Sequence, residues 1–459
     1  MTTSTAVTSI PGPQGLPVVG SMRELQRDSL GAFERARREH GDVVRLWGGP
    51  PGLRIVLHGA FSPQGAQHVL ATESANFRKD NPFYGEIRES FGNGLLTAQD
   101  GDYLRQRRLV QPLFTKRRVD GYAGAIAAEA AATARGWQRA PGGVTDLVPD
   151  MSRLALRTVA RILFGTDVEA AVEVIQRCFP VINDYVLRRG YSPLNAPRSL
   201  PLPSNLRAAA ATREVYAVCD RIIAERRERG EEAGDQGEDL LSLLARARGE
   251  EGDRALDDRE LRDQVLIFLL AGHETTATSM AFTLHLLAHN PEQLRAAQEE
   301  IASVLGERAP TADDMERLPH LTRCLKEAMR LYPAAPVIGR LSVADSEIDG
   351  FYIPAGANVV VAPWVTHRHP DLWEKPEEFD PDRFTPEKEE ARHRYAWFPF
   401  GGGPRACIGQ HFSMLESVLA LAVLLREWDL DPVDHEVPLA AGITLQATGP
   451  ARVKLRRRA

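Results

Sequence analysis

Residues 397–409 read Trp397-Phe-Pro-Phe-Gly-Gly-Gly-Pro-Arg-Ala-Cys-Ile-Gly409, and a segment with helical spacing follows them. Cys407 therefore lies at a predicted helix N-terminus, where the helix dipole and the free amide N–H groups stabilise a thiolate. The glycines before it let the backbone bend tightly against a flat or bulky group, which suits a metal-bound thiolate. Two other roles remain open, a small buried thiol and a nucleophile activated by a histidine, although neither explains Arg405 and the glycines together.

A largely apolar segment from Leu261 to Ala288 is the second informative stretch. As a helix it is about 42 Å long, at ~1.5 Å per residue, and crosses the whole molecule. Asp257 and Glu260 have the spacing of a capping box at its start. Asn290 and Pro291 are predicted to cap and to begin the next helix.

The middle of this helix, Ala271-Gly-His-Glu-Thr-Thr276, places a carboxylate and two hydroxyls inside an apolar run. One interpretation is structural: Thr275 hydrogen-bonds a carbonyl one turn earlier, and Glu274 pairs with a basic side chain. The other is functional: the missing side chain of Gly272 makes room for a ligand, while Glu274 and Thr275 handle protons in a dry pocket. The two interpretations predict different access of solvent to these side chains.

Two further groups of polar residues have structural explanations. Glu327 and Arg330 share one face of a predicted helix, where an exposed pair contributes only roughly 0.2–0.5 kcal/mol. A buried pair needs further hydrogen bonds, and Arg383 is a candidate third member. His285 and His289 have the spacing of a metal-binding pair, but the glutamate of the His-Glu-x-x-His motif is missing, so both are interpreted as packing residues.

The composition excludes several classes of protein. The chain has 459 residues, 43% apolar and 26% charged, which is ordinary globular usage. Its 56 Lys and Arg against 62 Asp and Glu give a net charge of -6, which disfavours a wholly basic nucleic-acid binder. The apolar runs are shorter than the ~20 residues of a membrane span, and Met1–Val7 lacks the features of a signal peptide. We therefore expect a cytoplasmic protein without a membrane anchor.

The organisation of the chain indicates a helical protein. Residues 1–20 are rich in Pro and Gly and are predicted to form an extended lead-in arm. A short helix over 30–39 and strands within 43–57 indicate a small sheet near the N-terminus. Helical spacing dominates from Tyr122 to Leu244, and a final helix follows Gly409. We predict a mainly α fold with a small β-sheet region, forming a single domain over 1–459.

Taken together, these motifs resemble those of the cytochrome P450 family of haem-thiolate monooxygenases. Residues 400–409 match the family's haem-binding signature F-x-x-G-x-R-x-C-x-G, and residues 271–276 match its oxygen-activating helix motif. Glu327-Ala-Met-Arg330 matches E-x-x-R, and Asp380-Pro-Asp-Arg-Phe384 matches a variant of P-x-R-F. The resemblance extends from the Pro-rich arm to the C-terminal segment and implies the cytochrome P450 fold, with a single haem-binding domain.

The resemblance implies that the cofactor is haem b (iron-protoporphyrin IX) and that Cys407 is its axial thiolate ligand. Glu274 and Thr275 would be catalytic, because they would steer protons during oxygen activation. Tyr103 stands where the family more often has Trp or His, and its phenol can still donate to a propionate. The other cofactor-binding residues implied are Arg107, Arg340 and Arg405 at the propionates, together with Phe400, Gly401, Ala271 and Gly272.

The resemblance also implies the reaction. One oxygen atom from O2 would enter a small apolar substrate such as a terpenoid, fatty acid, steroid or macrolide, for example in secondary metabolism. A peroxide-driven haem peroxygenase and a non-catalytic haem protein that binds a ligand are the alternatives. The Glu274–Thr275 pair argues against both, because proton delivery to bound O2 is needed mainly by a monooxygenase.

Electrons from NAD(P)H would arrive through a ferredoxin or flavodoxin and its reductase, because the chain has no flavin or nicotinamide fingerprint. Residues 81–97 would cover the substrate, although their aromatics, Phe83, Tyr84 and Phe91, can equally be core residues. A basic cluster can dock the redox partner or can be an ordinary solvated helix face; its members are Arg105, Arg108, Lys116, Arg117 and Arg118.

Overall fold

The computed structural model describes residues 9–50, 52, 54–164, 169–190, 192, 195–233, 240–246 and 255–458. Helices dominate these residues, as predicted. In chain order they are α1 (Met22–Arg27), α2 (Ser29–His40), α3 (Pro63–Gln67), α4 (Pro82–Phe91), α5 (Asp100–Val110), α6 (Lys116–Asp120), α7 (Ala123–Trp137), α8 (Leu147–Phe164), α9 (Glu169–Gly190), α10 (Pro203–Ala233), α11 (Leu240–Arg246), α12 (Asp258–His289), α13 (Pro291–Leu305), α14 (Asp314–Arg317), α15 (Pro319–Leu331), α16 (Pro363–Thr366), α17 (Pro386–Ala391) and α18 (Gln410–Glu427).

The strands are short and form small sheets. The largest sheet has the order β1-β2-β8-β5-β3, in which β2 and β8 pair in parallel and the other neighbours pair antiparallel. A second sheet has the order β4-β12-β9, and two hairpins are β6-β7 and β10-β11. The strands are β1 (Val43–Gly48), β2 (Ile55–Ala60), β3 (Phe77–Arg78), β4 (Val144–Asp146), β5 (Ile338–Ser342), β6 (Ser346–Ile348), β7 (Phe351–Ile353), β8 (Asn358–Val361), β9 (Trp428–Pro432), β10 (Leu439–Ala441), β11 (Leu445–Ala447) and β12 (Arg452–Arg457).

Helix α12 packs against α8, α15 and α18 and contributes to both large apolar clusters of the core. The predicted capping box is present, since Asp257 and Glu260 each accept the other's backbone N–H. Asn290 is the N-cap residue of α13, as predicted, but its side chain makes no capping hydrogen bond there. Its amide instead donates back to the carbonyl oxygen of Leu286, 2.7 Å away, at the end of α12. Pro291 begins α13 as predicted.

By length and composition alone, helix α12 is also long and apolar enough to cross a membrane, although its uninterrupted apolar runs are shorter than a span. Its most apolar window is 72% buried inside the fold. A helix that is apolar on all sides is buried either in protein or in lipid, and the neighbours α8, α15 and α18 cover this one.

The predicted buried triad ties α15 to the segment before the Cys407 loop. Arg330 donates twice to the carboxylate of Glu327, at 2.7 and 2.8 Å, and Arg383 donates to the same carboxylate at 3.2 Å. Arg330 also donates to the backbone carbonyls of residues 367, 376 and 378. Glu327 and Arg330 are both 0% exposed, so the network supplies the hydrogen bonds that such burial demands.

The N-terminal part agrees with the predictions where it is described. The short helix is α2, and the strands are β1 and β2. Residues 9–14 of the predicted arm carry no helix or strand, and the N–H of Arg45 donates to the carbonyl of Pro11 at 2.7 Å. Residues 1–8, including Met1–Val7, lie outside the described residues.

Candidate active site

A large cavity lies between α12 and the loop that carries Cys407. Its walls come from α5, α8, α12, β5 and residues 399–409. Most of the lining is apolar, and the larger apolar side chains are Tyr84, Leu95, Leu96, Phe114, Tyr122, Val159, Ile162, Leu163, Leu240, Ile267, Phe268, Met329, Ile338, Phe400 and Phe412. Such a chamber suits a bulky apolar ligand.

The Cys407 loop turns through two glycines in the left-handed region, Gly401 at φ +69° and Gly403 at φ +64°. A Cβ on Gly403 would lie 2.0 Å from the carbonyl oxygen of Leu70, in the π-helical turn His68–Thr72. Gly401 lines the cavity. The sequence predicts that the glycines let the backbone approach a bound group. Gly403 instead lets the loop approach the backbone of Leu70.

The side chain of Cys407 borders the cavity and has accessible surface, whereas the other three cysteines are buried. Burial of the site raises the pKa of its thiol, while the N–H of Gly409 and the charges of Arg107 and Lys79 act in the opposite direction. In the protein by itself, desolvation of the Cys407 thiol therefore outweighs these stabilising effects. A metal cation on the sulfur would reverse this balance.

Four cationic side chains reach the same cavity: Lys79, Arg107, Arg340 and Arg405. No Asp or Glu is among the described residues that line it. Burial, together with the charges of Arg340 and Arg405, holds the pKa of Lys79 well below its usual range. Burial, with a contribution from Arg340, lowers the pKa of Arg405 to about 10. The cavity therefore fits a ligand that is largely apolar and carries acidic groups at one edge.

Tyr103 of α5 lines the cavity, but its hydroxyl proton is already used in a hydrogen bond to the protein. The hydroxyl donates to the carbonyl of Pro404 at 2.6 Å, and the guanidinium of Arg405 lies 3.5 Å from the centre of the ring. Arg405 also donates to the carbonyl of Ala98 at 2.7 Å and to the side chain of Gln99 at 2.9 Å. The geometry thus favours positioning of Arg405 by Tyr103 over the predicted direct donation from the phenol.

Ala271, Gly272 and Thr275 border the cavity on the α12 side. The hydroxyl of Thr275 donates to the carbonyl of Ala271 at 2.7 Å, as the structural interpretation predicts. A Cβ on Gly272 would lie 3.1 Å from the side chain of Val159, so this glycine also lets α8 approach α12 closely. The hydroxyl of Thr275 is thus bonded within the helix, as the structural interpretation predicts, while the Thr275 side chain also borders the cavity. The role of Thr275 and Glu274 in proton transfer stays a prediction.

Glu274 is half-buried and is not among the residues that line the cavity. One carboxylate oxygen accepts from the side-chain amide of Asn183 on α9, at 2.8 Å. The other accepts from the hydroxyl of Thr444, just before β11, at 2.9 Å. Within the described part of the chain no Lys or Arg pairs with Glu274, so the predicted basic partner is wrong.

The turn over residues 92–97 forms part of the cavity wall and is held by buried side chains. Gln264 of α12 accepts from the N–H of Leu95 at 3.1 Å and donates to Gln106 of α5 at 2.7 Å. Gln106 in turn donates to the carbonyl of Asn93 at 2.9 Å. This wall is therefore fixed by the fold before any ligand binds.

The comparisons with known proteins decide the family. The cytochrome P450 family model matches residues 10–454. The chain is a cytochrome P450.

This cytochrome P450 is 36% identical to cyclooctatin synthase of Streptomyces melanosporofaciens over 423 residues, 92% of this chain and 90% of that protein. It is 35% identical to pentalenene oxygenase of Streptomyces avermitilis over 447 residues, 97% of this chain and 96% of that protein. The crystal structure of the cytochrome P450DA heme domain superposes with a TM-score of 0.86 at 30% identity, covering 99% of this chain and 98% of that one. The predicted fold and the monooxygenase class are confirmed.

Cytochrome P450 enzymes use haem, and the cavity of this P450 fits that group. The apolar walls suit the macrocycle, and the four cationic groups, with no Asp or Glu among the described residues of the lining, suit its two carboxylates. The sulfur of Cys407 borders the same space.

The cavity of this P450 brings most of the predicted site residues together, with Glu274 outside it. Sequence reasoning misses Lys79, which is only 9% exposed and donates to the carbonyl of Leu96 at 3.2 Å. Alternation along β3 puts Lys79 on the same side as the buried Phe77, and this is the signal that could have found it.

Two features predicted for the P450, the substrate cover and the basic cluster, agree with the structure only in part. In the predicted substrate cover, Tyr84 lines the cavity but Phe91 packs in the core against Phe179, with ring centres 5.6 Å apart. In the predicted basic cluster, Arg105 is turned inward to pair with Glu260 and is 12% exposed. The exposed members are Arg108, Lys116, Arg117 and Arg118.

Proposed function

We propose that this P450 inserts one oxygen atom from O2 into a terpenoid. The observation that carries the proposal is that Cys407 and Thr275 border one largely apolar cavity whose described lining contains no acidic side chain. A hydrocarbon skeleton gains free energy from leaving water in such a chamber, and it needs few polar partners there. Relatives named for cyclooctatin and pentalenene favour a terpenoid over a fatty acid, steroid or macrolide.

We propose that Cys407 holds haem b through its sulfur and that Lys79, Arg107, Arg340 and Arg405 pair with the propionates. Ion pairs of this kind are strong only where water is scarce, and Lys79 and Arg340 are buried. When bound, haem supplies the iron that activates O2 with two electrons. Phe400 and Gly401 on the loop side and Ala271 and Gly272 on the α12 side complete the proposed contacts.

Thr275 and Glu274 are proposed to move protons. The hydroxyl of Thr275 donates to Ala271, so its oxygen is left to accept a hydrogen bond from a proton donor in the cavity. Glu274 is the adjacent titratable group, is only partly buried and lies outside the cavity lining. The pair can thus pass protons from solvent without placing a charge in the apolar chamber.

We expect Thr275→Ala to consume NAD(P)H at a similar rate but to form several-fold less product and correspondingly more hydrogen peroxide. Without the hydroxyl, proton delivery is misdirected and reduced oxygen leaves as peroxide. Product, peroxide and NAD(P)H are measured together in the reconstituted enzyme. An unchanged ratio of product to NAD(P)H would show that Thr275 does not guide protons.

We propose that a ferredoxin or flavodoxin with its NAD(P)H reductase is the electron donor. We also propose that the protein is cytoplasmic and that residues 1–459 form one domain. The exposed side chains of Arg108, Lys116, Arg117 and Arg118 support docking of an acidic partner. Such docking weakens with salt, because exposed charges are screened within ~10 Å at 0.1 M ionic strength. A reduction rate that is independent of salt would argue against it.

The test of the proposed function is the reduced carbon-monoxide difference spectrum of the purified protein beside that of Cys407→Ser. We expect a red-shifted thiolate band that the variant lacks. Terpenoid hydrocarbons should then shift the spin state at lower concentration than fatty acids or macrolides. A histidine-type band would contradict the assignment of Cys407, and turnover with peroxide but not with a reductase would indicate a peroxygenase.

A further inference from the structure

The carboxylate of Glu274 is held by side chains from two elements that are remote in the sequence. Asn183 lies on α9 and is 1% exposed, and Thr444 lies in the turn between β10 and β11 and is 6% exposed. Each donates to a different oxygen, at 2.8 and 2.9 Å. We call these three residues the Glu274 clasp.

Packing alone does not explain the choice of Asn183. Its side-chain oxygen is buried and has no hydrogen-bond partner, which is unfavourable for a polar group in the interior. A leucine of similar size would fill the same space without that cost. The gain that offsets it is the hydrogen bond from the Asn183 amide to Glu274, so the residue type is explained by the carboxylate it holds.

The donors of the clasp are neutral, and this affects the chemistry of the carboxylate. A Lys or Arg partner would favour the charged form strongly and would oppose its protonation. Asn183 and Thr444 fix the position of the two oxygens and add no positive charge. A carboxyl group that must both receive and release protons needs a fixed position without a permanent counter-charge.

The clasp also determines where the carboxylate lies. Thr275 faces the cavity, whereas Glu274 is held on the side of α12 toward α9 and the β10-β11 turn. A carboxylate inside the apolar cavity would be costly to desolvate. Outside the cavity and half-exposed, it can exchange protons with water.

We propose that Asn183 and Thr444 are positioning residues for proton delivery, which fix the Glu274 carboxylate beside Thr275 but outside the cavity. This inference rests on the proposed function of Glu274. In each delivery the carboxyl group releases one proton toward Thr275 and recovers one from solvent, so its charge is restored. The clasp also links α9 and the β10-β11 turn to α12 through one side chain.

The experiment compares Asn183→Leu and Thr444→Val with two matched variants. Thr444→Ser keeps the hydroxyl and should restore wild-type behaviour, and Thr448→Val removes a hydroxyl from an exposed position after β11. We expect Asn183→Leu and Thr444→Val to lower product per NAD(P)H several-fold and to raise peroxide. Their reduced carbon-monoxide spectra should match the wild type, which shows that fold and cofactor are intact.

A second measurement does not depend on turnover. Hydrogen exchange of the amides of residues 443–447 reports whether the clasp holds the β10-β11 turn in solution. We expect exchange there to be about tenfold faster in both Thr444→Val and Glu274→Ala, with Thr448→Val unchanged. Exchange that is unaffected by both variants would show that the clasp does not form, and would overturn the inference.

The outcomes separate the inference from the proposed function. If Glu274→Gln and Thr275→Ala uncouple the enzyme but Asn183→Leu and Thr444→Val do not, the inference is wrong and the proposed function stands. If Glu274→Gln leaves coupling unchanged, the proton role of Glu274 is wrong, and the inference falls with it.

Discussion

Lys79 is a buried ammonium group, 9% exposed, and Arg340 and Arg405 both act to lower its pKa. It donates to one backbone carbonyl, that of Leu96, and its ammonium group lies 5.3 Å from the ring centre of Tyr84. In the protein alone, such a group costs free energy, because burial and like charges both disfavour its charged form. An anionic ligand in the cavity converts the same charge into a favourable interaction.

We therefore expect Lys79→Met to have opposite effects on the protein with and without its cofactor. The free energy of unfolding of the cofactor-free protein should rise, since Met keeps the length of the side chain without its charge. Release of haem should become ~10- to 100-fold faster, because a hydrogen bond to a charged group contributes about 1.5–3 kcal/mol. Denaturant unfolding measures the stability of the cofactor-free protein, and transfer of haem to apomyoglobin measures the rate of haem release.

The control for this variant is Lys116→Met, whose parent side chain is 58% exposed and pairs with Asp120. It should change neither quantity, because exposed ion pairs contribute little. If Lys79→Met releases haem as slowly as Lys116→Met does, Lys79 is not a cofactor ligand.

At the residue scale, the sequence identifies functional residues that lie within a short motif, as Cys407 and Arg405 do in residues 400–409. It misses the partners of Glu274, which lie 91 and 170 residues away in the sequence. Asn183 and Thr444 are also neutral residues in unremarkable surroundings. Their role depends on the tertiary fold, and nothing near them in the sequence points to it.

At the scale of elements, the turn over residues 92–97 is held by side chains from three helices, α4, α5 and α12. Besides Gln264 and Gln106, Asp263 accepts from the N–H of Asn93 at 2.8 Å. Arg88 of α4 donates twice to the carbonyl of Thr97, at 3.2 and 2.7 Å. The turn has no regular structure of its own, so its shape depends on these buried groups.

We expect Gln264→Leu to lower the free energy of unfolding by about 2–6 kcal/mol. The change leaves the N–H of Leu95 and the side chain of Gln106 buried without this partner, at about 1–3 kcal/mol each. Amides of residues 92–97 should also exchange faster with solvent. Denaturant unfolding and hydrogen exchange are the measurements, with the exposed Gln138→Leu as control. Equal stability of the two variants would show that the network does not hold the turn.

The start or end of a helix can be predicted from the sequence where the residue pattern found there has a single structural role. Asp257 and Glu260 mark the start of α12 correctly, because a capping box has few alternatives. Asn290 is the N-cap residue of α13 as predicted, but an amide between two helices can also serve the end of the first. Its side chain does so, through the hydrogen bond to the carbonyl of Leu286.

At the scale of the whole molecule, the end of α12 meets the C-terminal part of the chain at a group of histidines. His285 is 5% exposed, and the ring of His289 lies 4.5 Å from it, centre to centre. His435, before β10, packs edge-to-face against His289, with ring centres 5.4 Å apart. Burial, then His289 and His435, lower the pKa of His285 to about 4, against a smaller opposing effect of Asp434.

This shift predicts how stability depends on pH. The pKa of His285 is lower in the folded protein than in the unfolded chain, where it is about 6.5, so the unfolded chain binds the extra proton between these values. The stabilisation is complete above pH ~6.5 and is lost as pH falls toward about 4, for a total of about 3 kcal/mol. His285→Leu should lose less stability than the wild type over this range.

Denaturant unfolding at a series of pH values measures this, with His40→Gln as a control at a partly exposed position. Equal slopes of the unfolding free energy against pH in the wild type and His285→Leu would show that His285 does not titrate on unfolding.

The sheet β4-β12-β9 has a consequence for how the protein is made. Val453 of β12 pairs opposite Thr145 of β4. Strand β4 is translated early, so it can pair with β12 only after nearly the whole chain has been made. Lys79 and Cys407 likewise reach one cavity from distant parts of the chain. On the ribosome, the nascent chain therefore carries an open strand edge and an incomplete haem chamber through most of its synthesis. Haem loading is thus expected after translation of Cys407, and interrupted chains remain clients of chaperones and proteases.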